Sequence, residues 1–312
     1  MDKKNMLPAA GPGQISGQTA GIPLSAAIAA ASTVPALKYE FAFSEMDFVQ
    51  VCDLIHRYAG ISLAASKKDM VYSRLSRRLR KCGIDNFAQY LLLLKKDKTE
   101  LEAFINALTT NLTSFFREMH HFDSLVAQMK QMPPGHTFHI WCCAASTGEE
   151  PYSLAMTACD TFGTLTPPVR ILASDLNTSV LETARQAFYG KPGVEALSLS
   201  RVRQYFEPAT QDGTPGYRLR PELRRMVEFR QINLLDTCLG TKQIFEAVFC
   251  RNVLIYFDKN IQEQVVRKLA ACLSPGGMFY AGHSENLRFA ADIFEPLGRT
   301  VYKRIAVSGN RL

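Results

Sequence analysis

The chain is poor in the features that mark several protein classes. Its six histidines are scattered without metal-ligand spacing, which argues against a zinc enzyme. Eight cysteines stand at positions 52, 82, 142, 143, 159, 238, 250 and 272, and none forms a C-x-x-C pair. Cys142, Cys143 and Cys250 fall inside apolar runs, where a free thiol behaves as a small hydrophobe. The expectation is a reduced, cytoplasmic protein without structural disulfides. No run approaches the ~20 apolar residues that span a bilayer, so no direct membrane insertion is expected. Residues 1–38 have no solid Leu/Ile/Val stretch of the secretory kind, and prolines and glycines interrupt them from Pro8 to Pro35. They read as a disordered tail. Internal repeats, a G-x-G-x-x-G fingerprint and a Walker lysine are all missing.

What is present describes a globular protein. Of 312 residues, 47% are hydrophobic and 21% charged, enough for one sizeable core and a second, smaller domain. The net charge of +7 and pI near 9.0 suit an acidic partner: nucleic acid, an anionic membrane or an acidic protein surface. They equally describe a solvated basic surface.

Apolar spacing is helical from Ser44 to about Leu108. Phe48, Val51, Cys52 and Ile55 recur at i, i+3, i+4 and i+7. Leu75 and Leu79 mark a second helix, Phe87 to Leu94 a third, and Phe104 to Leu108 a fourth. Residues 39–110 therefore read as a small all-helical domain, and 111–136 as an interdomain linker and helix. From Thr137 the pattern changes. Strand-like runs at 137–143, 169–174, 244–250, 277–281 and 300–305 alternate with helix-like 150–160, 177–188 and 259–273. Residues 137–308 are thus expected to form a Rossmann-like, doubly wound α/β domain with a mostly parallel sheet. Residues of about 192–230 fit neither pattern and read as a small β insertion.

Ligands of such a sheet bind beyond the carboxyl ends of its strands. "IWCCAASTGEEPYS" (140–153) carries a strand into small residues and then a helix near Pro151. Phosphate would suit a helix N-terminus, but Glu149 and Glu150 would repel it and attract a cation. S-adenosylmethionine (AdoMet), with its sulfonium and ammonium, fits; two acids favouring the helix dipole is the plainer alternative. "ILASDLN" ends at Asp175, which could accept from both ribose hydroxyls or cap the following helix. "QINLLD" offers Asn233 and Leu234 to an adenine edge and face. "FCRNVLIYF" places Arg251, Asn252 and Tyr256 at a third tip. Arginine suits a carboxylate substrate, since its fork pairs with two oxygens.

Together "NLTSFFRE" (111–118), "AASTGEEPYS" (144–153), "ASDLN" (173–177), "NLL" (233–235), "FCRNVLIYFD" (249–258) and "AGHSENL" (281–287) resemble the CheR-type chemotaxis receptor glutamate methyltransferases. The likeness covers roughly residues 40–305 in the family's order. It implies AdoMet contacts from Asn111, Thr113, Arg117, Glu150, Asp175, Asn233 and Leu234, with Arg251 and Asn252 flanking the methyl group and Glu149 as second choice for the acidic contact. It implies transfer to glutamates on the cytoplasmic helical region of methyl-accepting receptors, recruitment to receptor arrays, and S-adenosylhomocysteine (AdoHcy) as product. Arg117 and Arg251 would guide the acid and Tyr256 would orient it.

The positive charge clusters in "SRLSRRLRK" (73–81). Arg74, Arg77, Arg78 and Lys81 share a helical face at i, i+3, i+4 and i+7, a candidate docking face for acidic receptor helices. Some family members also grip a receptor C-terminal peptide on the β insertion. This chain has only two glycines in "FEPATQDGTPGYRLR" (206–220), so a tether-independent enzyme is expected. A nucleic-acid methyltransferase and a non-catalytic AdoMet-sensing scaffold are the alternatives. The Arg-Asn-Val-Leu tip opposes the first, and the set Arg117, Arg251 and Tyr256 opposes the second.

Overall fold

The computed structural model describes residues 39–305; the tail read at 1–38 lies outside them. The first helices are α1 (Glu45–Ala59), α2 (Lys68–Cys82), α3 (Phe87–Leu94) and α4 (Lys98–Leu108). Ser44 and Asp47 form a reciprocal capping box at the start of α1, and Gly60 ends it in the left-handed region. Phe48, Val51 and Ile55 of α1, Val71, Leu75 and Leu79 of α2 and Phe104 of α4 are all buried, and α4 packs against each of the other three helices. This is the four-helix arrangement that the apolar spacing predicts.

Helix α5 (His120–Met129) leads into β1 (Phe138–Cys142), α6 (Glu149–Phe162), β2 (Val169–Asp175) and α7 (Thr178–Gln186). An excursion follows: β3 (Phe188–Gly190), α8 (Lys191–Val194), α9 (Leu199–Tyr205), β4 (Phe206–Gln211), β5 (Thr214–Leu219) and α10 (Pro221–Arg225). The chain returns through β6 (Val227–Gln231), β7 (Phe245–Cys250), α11 (Lys259–Cys272), β8 (Leu273–Ala281), β9 (Phe294–Gly298) and β10 (Val301–Arg304).

The main sheet has seven strands in the order β6-β2-β1-β7-β8-β10-β9. Its first five strands are parallel, and β10 pairs antiparallel with both β8 and β9. Chain order reverses between β1 and β7, which opens a crevice at their carboxyl ends. Alternation along β1 divides the core: Phe138, Ile140 and Cys142 face α6, whereas Trp141 and Cys143 face α11. Trp141, expected in the core, is fully buried and donates its indole N–H to Ser174 Oγ at 2.9 Å.

The insertion is a separate three-stranded antiparallel sheet, β3-β5-β4. Its extent differs from the sequence reading. It begins at Phe188, whereas residues 227–231 pair in parallel with β2 as the edge strand of the main sheet. Exposed Glu228 and Arg230 break the apolar run that marks the central strands, so an edge strand here carried little signal. Strand β9, with only Phe294 buried, was missed for the same reason.

Candidate functional site

A cavity of about 420 Å³ lies at the carboxyl ends of β1, β2, β6 and β7. Six chain segments line it, drawn from residues 59–70, 108–117, 143–150, 175–176, 232–234 and 251–257. Asn111, Thr113, Arg117, Glu150, Asp175, Asn233, Leu234, Arg251, Asn252 and Tyr256 all reach it. The structure therefore brings every predicted cofactor and catalytic residue to one place.

The first wall is the β1–α6 turn. Gly148 has φ +98°, and a Cβ there would meet Tyr189 Oη at 2.9 Å and Ala184 Cβ at 3.0 Å. Glycine is thus required both by backbone conformation and by space. Helix α6 starts at Glu149, two residues before Pro151. Of the two acids, Glu150 faces the cavity and Glu149 does not: its carboxylate accepts from Thr147 Oγ1 at 2.7 Å. Asp175 accepts from the backbone N–H of Ser146 and Asn177, each at 2.9 Å. The N-cap of α7 is Asn177, not Asp175, so Asp175 ties the first two turns together. Burial pushes its carboxyl up, and the backbone donors only partly oppose that.

Arg251 differs from the sequence reading. Its side chain is fully buried, and its terminal nitrogens are already engaged. Nη1 donates to Glu150 Oε2 at 2.5 Å; Nη2 donates to the Arg117 carbonyl at 2.5 Å and lies 3.3 Å from Glu118 Oε2. The guanidinium is held by two carboxylates of the protein, partners that the sequence reading did not include. Its buried Nε has no hydrogen-bond partner among the described residues. Burial raises the Glu150 carboxyl, against the pull of Arg251. At Glu118 burial is again the largest influence, but Arg251 and hydrogen bonds from His283 N–H and Asn252 outweigh it and hold the carboxyl below its usual range. His121 sits beside this group and is brought down to about 4, first by burial and then by the Arg251 charge. It stays neutral at neutral pH.

Asn233 also departs from its reading. Its amide donates to the Tyr58 carbonyl at 2.8 Å and its Oδ1 accepts from Leu235 N–H at 3.0 Å. The side chain is spent on tying the helical domain to the sheet, which leaves the backbone and buried Leu234 to face the cavity. Ser62 N–H to the Tyr256 carbonyl (2.8 Å) and His56 to Asp258 (2.9 Å) make two further ties. Tyr256 is half-buried, and its hydroxyl has no hydrogen-bond partner among the described residues.

The helical domain roofs the cavity with Ile61, Ser62, Leu63, Ala64, Lys67 and Met70. Sequence reasoning missed this roof, because a non-periodic loop between two helices carries no pattern. It also missed Glu118 and Glu285. A cation at the end of a buried strand needs an acid beside it, a signal that could have prompted a search for an acid such as Glu118.

Four residues around the cavity hold left-handed backbone without being glycine: Phe116 (φ 54°), Glu118 (58°), Ser146 (49°) and Asn252 (57°). Such strain concentrates where a site needs side chains at fixed angles. Two carboxylates, Glu150 and Asp175, and the Arg251 guanidinium line the deep part of the cavity, and Glu118 pairs with Arg251 outside the lining. Arg117, with a 37% exposed side chain, and exposed Lys67 stand at its rim.

The basic face of α2 requires correction. Arg74 turns inward and donates to the carbonyls of Ala107, Leu108 and Thr109 at 3.2, 3.1 and 2.8 Å, capping the end of α4. Arg78 pairs with buried Glu100, which also accepts from Tyr90 Oη. Both flank the Val71–Leu75–Leu79 stripe and hold the helical domain together. Of the four, only Arg77 and Lys81 are exposed, and exposed Arg80 lies near them.

A doubly wound sheet with an acid-walled cavity at its switch point is the architecture of a Rossmann-like AdoMet-dependent methyltransferase. Residues 111–303 match the family description "CheR methyltransferase, SAM binding domain", and residues 46–109 match "CheR methyltransferase, all-alpha domain". The chain belongs to the CheR methyltransferase family. It is 46% identical to chemotaxis protein methyltransferase 2 of Pseudomonas aeruginosa, over 84% of this chain and 94% of that one. It is 45% identical to the chemotaxis protein methyltransferase of Salmonella typhimurium and 44% identical to that of Escherichia coli, each over 84% of this chain and 91% of theirs. The protein is an enzyme that uses AdoMet.

Proposed function

We propose that the enzyme transfers the methyl group of AdoMet to glutamate side chains on the cytoplasmic helical region of chemoreceptors, forming γ-methyl esters in sensory adaptation. The observation that carries this reading is the charge layout: an acidic floor that suits a cationic donor, under a rim whose cations suit an anionic acceptor. The relatives' designation as chemotaxis protein methyltransferases supports the substrate class.

The residues present fit the cofactor. The unpartnered Nε–H of Arg251 calls for a hydrogen-bond acceptor and the carboxylates of Glu150 and Asp175 suit a cation or hydroxyl donors; AdoMet offers a carboxylate, a sulfonium with an ammonium, and ribose hydroxyls. Glu150 would face the charged end of AdoMet, Asp175 its ribose hydroxyls, Leu234 and the Asn233 backbone its adenine, and Asn111 and Thr113 would close over it. Bound AdoMet supplies a methyl group activated by its positive sulfur.

The acceptor needs little activation. A glutamate side chain has a reference pKa near 4.3 and is already an anion at neutral pH. No general base is required, and positioning carries the catalysis. Arg117 at the rim draws the carboxylate in. Tyr256 donates one hydrogen bond to one oxygen and leaves the other free to attack. Arg251 acts from behind, offsetting Glu118 and Glu150 so that the acceptor is not expelled by both.

Arg77 and Lys81 on α2 form the docking face, with Arg74 and Arg78 supporting it from within. The enzyme is recruited to cytoplasmic receptor arrays through this face and works without a C-terminal peptide tether on the insertion. Incubation with labelled AdoMet and receptor-bearing membranes, followed by peptide mapping, tests the proposal. Base-labile label on receptor glutamates supports it. Label on RNA or DNA acceptors instead, or AdoMet binding without transfer, would overturn it.

A further inference from the structure

One conspicuous word of the sequence, "AGHSENL", has no part in the chemistry so far. Its acid, Glu285, is only 6% exposed, and it pairs with no cation among the described residues. Its carboxylate is turned instead onto backbone N–H groups. Oε2 accepts from Gly282 at 2.5 Å and from Asn252 at 2.9 Å, and Oε1 accepts from Ile255 at 3.3 Å. Two of these donors belong to the strip that runs from the tip of β7 to Tyr256.

That strip would not hold its shape unaided. Asn252 sits at φ 57° and Val253 precedes a single 3₁₀ turn, Leu254–Tyr256. A single turn of this kind is poorly stabilised by its own hydrogen bonds. The strip is gripped from two sides. Glu285 takes the Asn252 backbone N–H, while Glu118 lies 3.4 Å from the Asn252 amide and 3.2 Å from His283 N. The fit is tight: a Cβ on Gly282 would come within 2.4 Å of Asn252 Nδ2 and 2.7 Å of Asn252 N. Glu285 does not line the cavity. It reaches the site only through the backbone that carries Asn252 and Tyr256.

We infer that Glu285 is a positioning residue for methyl transfer, a carboxylate clamp that sets the backbone between Arg251 and Tyr256 at the angle the acceptor requires. This rests on the transfer reaction proposed above. Burial pushes the Glu285 carboxyl up, in keeping with an acid that serves backbone donors rather than solvent.

Two substitutions test the clamp from opposite sides. Glu285→Gln puts an amide NH2 where an acceptor oxygen stood, opposing at least one backbone N–H. Gly282→Ala keeps the acid and crowds Asn252. In both variants, amide hydrogen exchange at Asn252 and Ile255 accelerates, and kcat for methyl-ester formation falls about tenfold or more. AdoHcy affinity, read by calorimetry, changes by less than about threefold, because the floor at Glu150 and Asp175 is untouched. Unchanged kcat despite faster exchange would overturn the inference. So would a loss of kcat matched by an equal loss of AdoHcy affinity, which would mean general damage to the cavity. If the wild-type chain methylates no receptor glutamate, the proposed function fails instead. The exchange measurement then decides alone, and undiminished protection in Glu285→Gln removes the clamp.

Discussion

Replacing Arg251 with methionine tests the electrostatic frame of the cavity. The wild-type guanidinium is fully buried between Glu118 and Glu150, whose side chains are 14% and 12% exposed. Removing it leaves two nearly buried carboxylates facing one another, with only the partly exposed Arg117, 4.0 Å from Glu118, still beside them. Breaking a buried ion pair from one side costs about 3–5 kcal/mol. At about 2–4 °C per kcal/mol for a chain of this size, the melting temperature should fall by roughly 6–20 °C. The deficit should also depend on pH. In the variant both carboxyls are pushed above their unfolded values, so the folded state holds protons that the unfolded state would release. Stability then declines as pH rises from about 4.3 through the raised values. The deficit is therefore larger at pH 8 than at pH 5, and adding Glu150→Gln recovers part of it. Scanning calorimetry at the two pH values, without nucleoside, reads this directly. A fall of under about 3 °C, or an equal fall at both pH values, would refute the claim that Arg251 acts by balancing the two acids.

Other substitutions separate chemistry from support. Tyr256→Phe should lower methyl-ester turnover about tenfold, the equivalent of one hydrogen bond of ~1.4 kcal/mol, and leave AdoHcy affinity within a factor of about two. Asp175→Asn should weaken AdoHcy binding and reduce its pH dependence, the remainder coming from Glu150. In the wild type, affinity declines on acidification as the raised Asp175 carboxyl takes a proton. Charge reversal at Arg77 and Lys81 should raise the receptor KM at low salt and lose that effect as salt increases. Arg78→Ala should instead cost about 3 kcal/mol of stability or more, because Glu100 is left buried without its cation. Histidine NMR should find His121 neutral down to about pH 4, so its contribution to stability fades as acidification carries the protein from about pH 6.5 toward that value.

Legibility of the sequence varied with the kind of signal. Helices of the first domain announced themselves because one stripe of each is buried, as at Val51 and Ile55 or Leu75 and Leu79. Central strands did so through unbroken apolar runs, while edge strands β6 and β9, half-exposed and mixed, did not. Small residues, acids at strand tips and the Arg-Asn-Val-Leu corner located the cavity. Partner choice stayed hidden. A helical wheel put Arg74 and Arg78 beside Arg77, but could not show that the α4 carbonyls and Glu100 claim them. Asn233 and Arg251 were located in the cavity from sequence, yet their side chains are spent on Tyr58 and on two acids. Those assignments depend on what the rest of the chain brings within 3 Å, which no local pattern records.

Helix α2 begins at Lys68, directly after Lys67 on the rim of the cavity, and its exposed cations Arg77 and Lys81 lie 10 and 14 residues beyond that rim. At 1.5 Å per residue the interval is about 15–21 Å. On the docking proposed above, α2 would work as a ruler: an acidic helix laid along it would present to the mouth side chains about 15–21 Å from its point of attachment, a distance set by the length of this one helix.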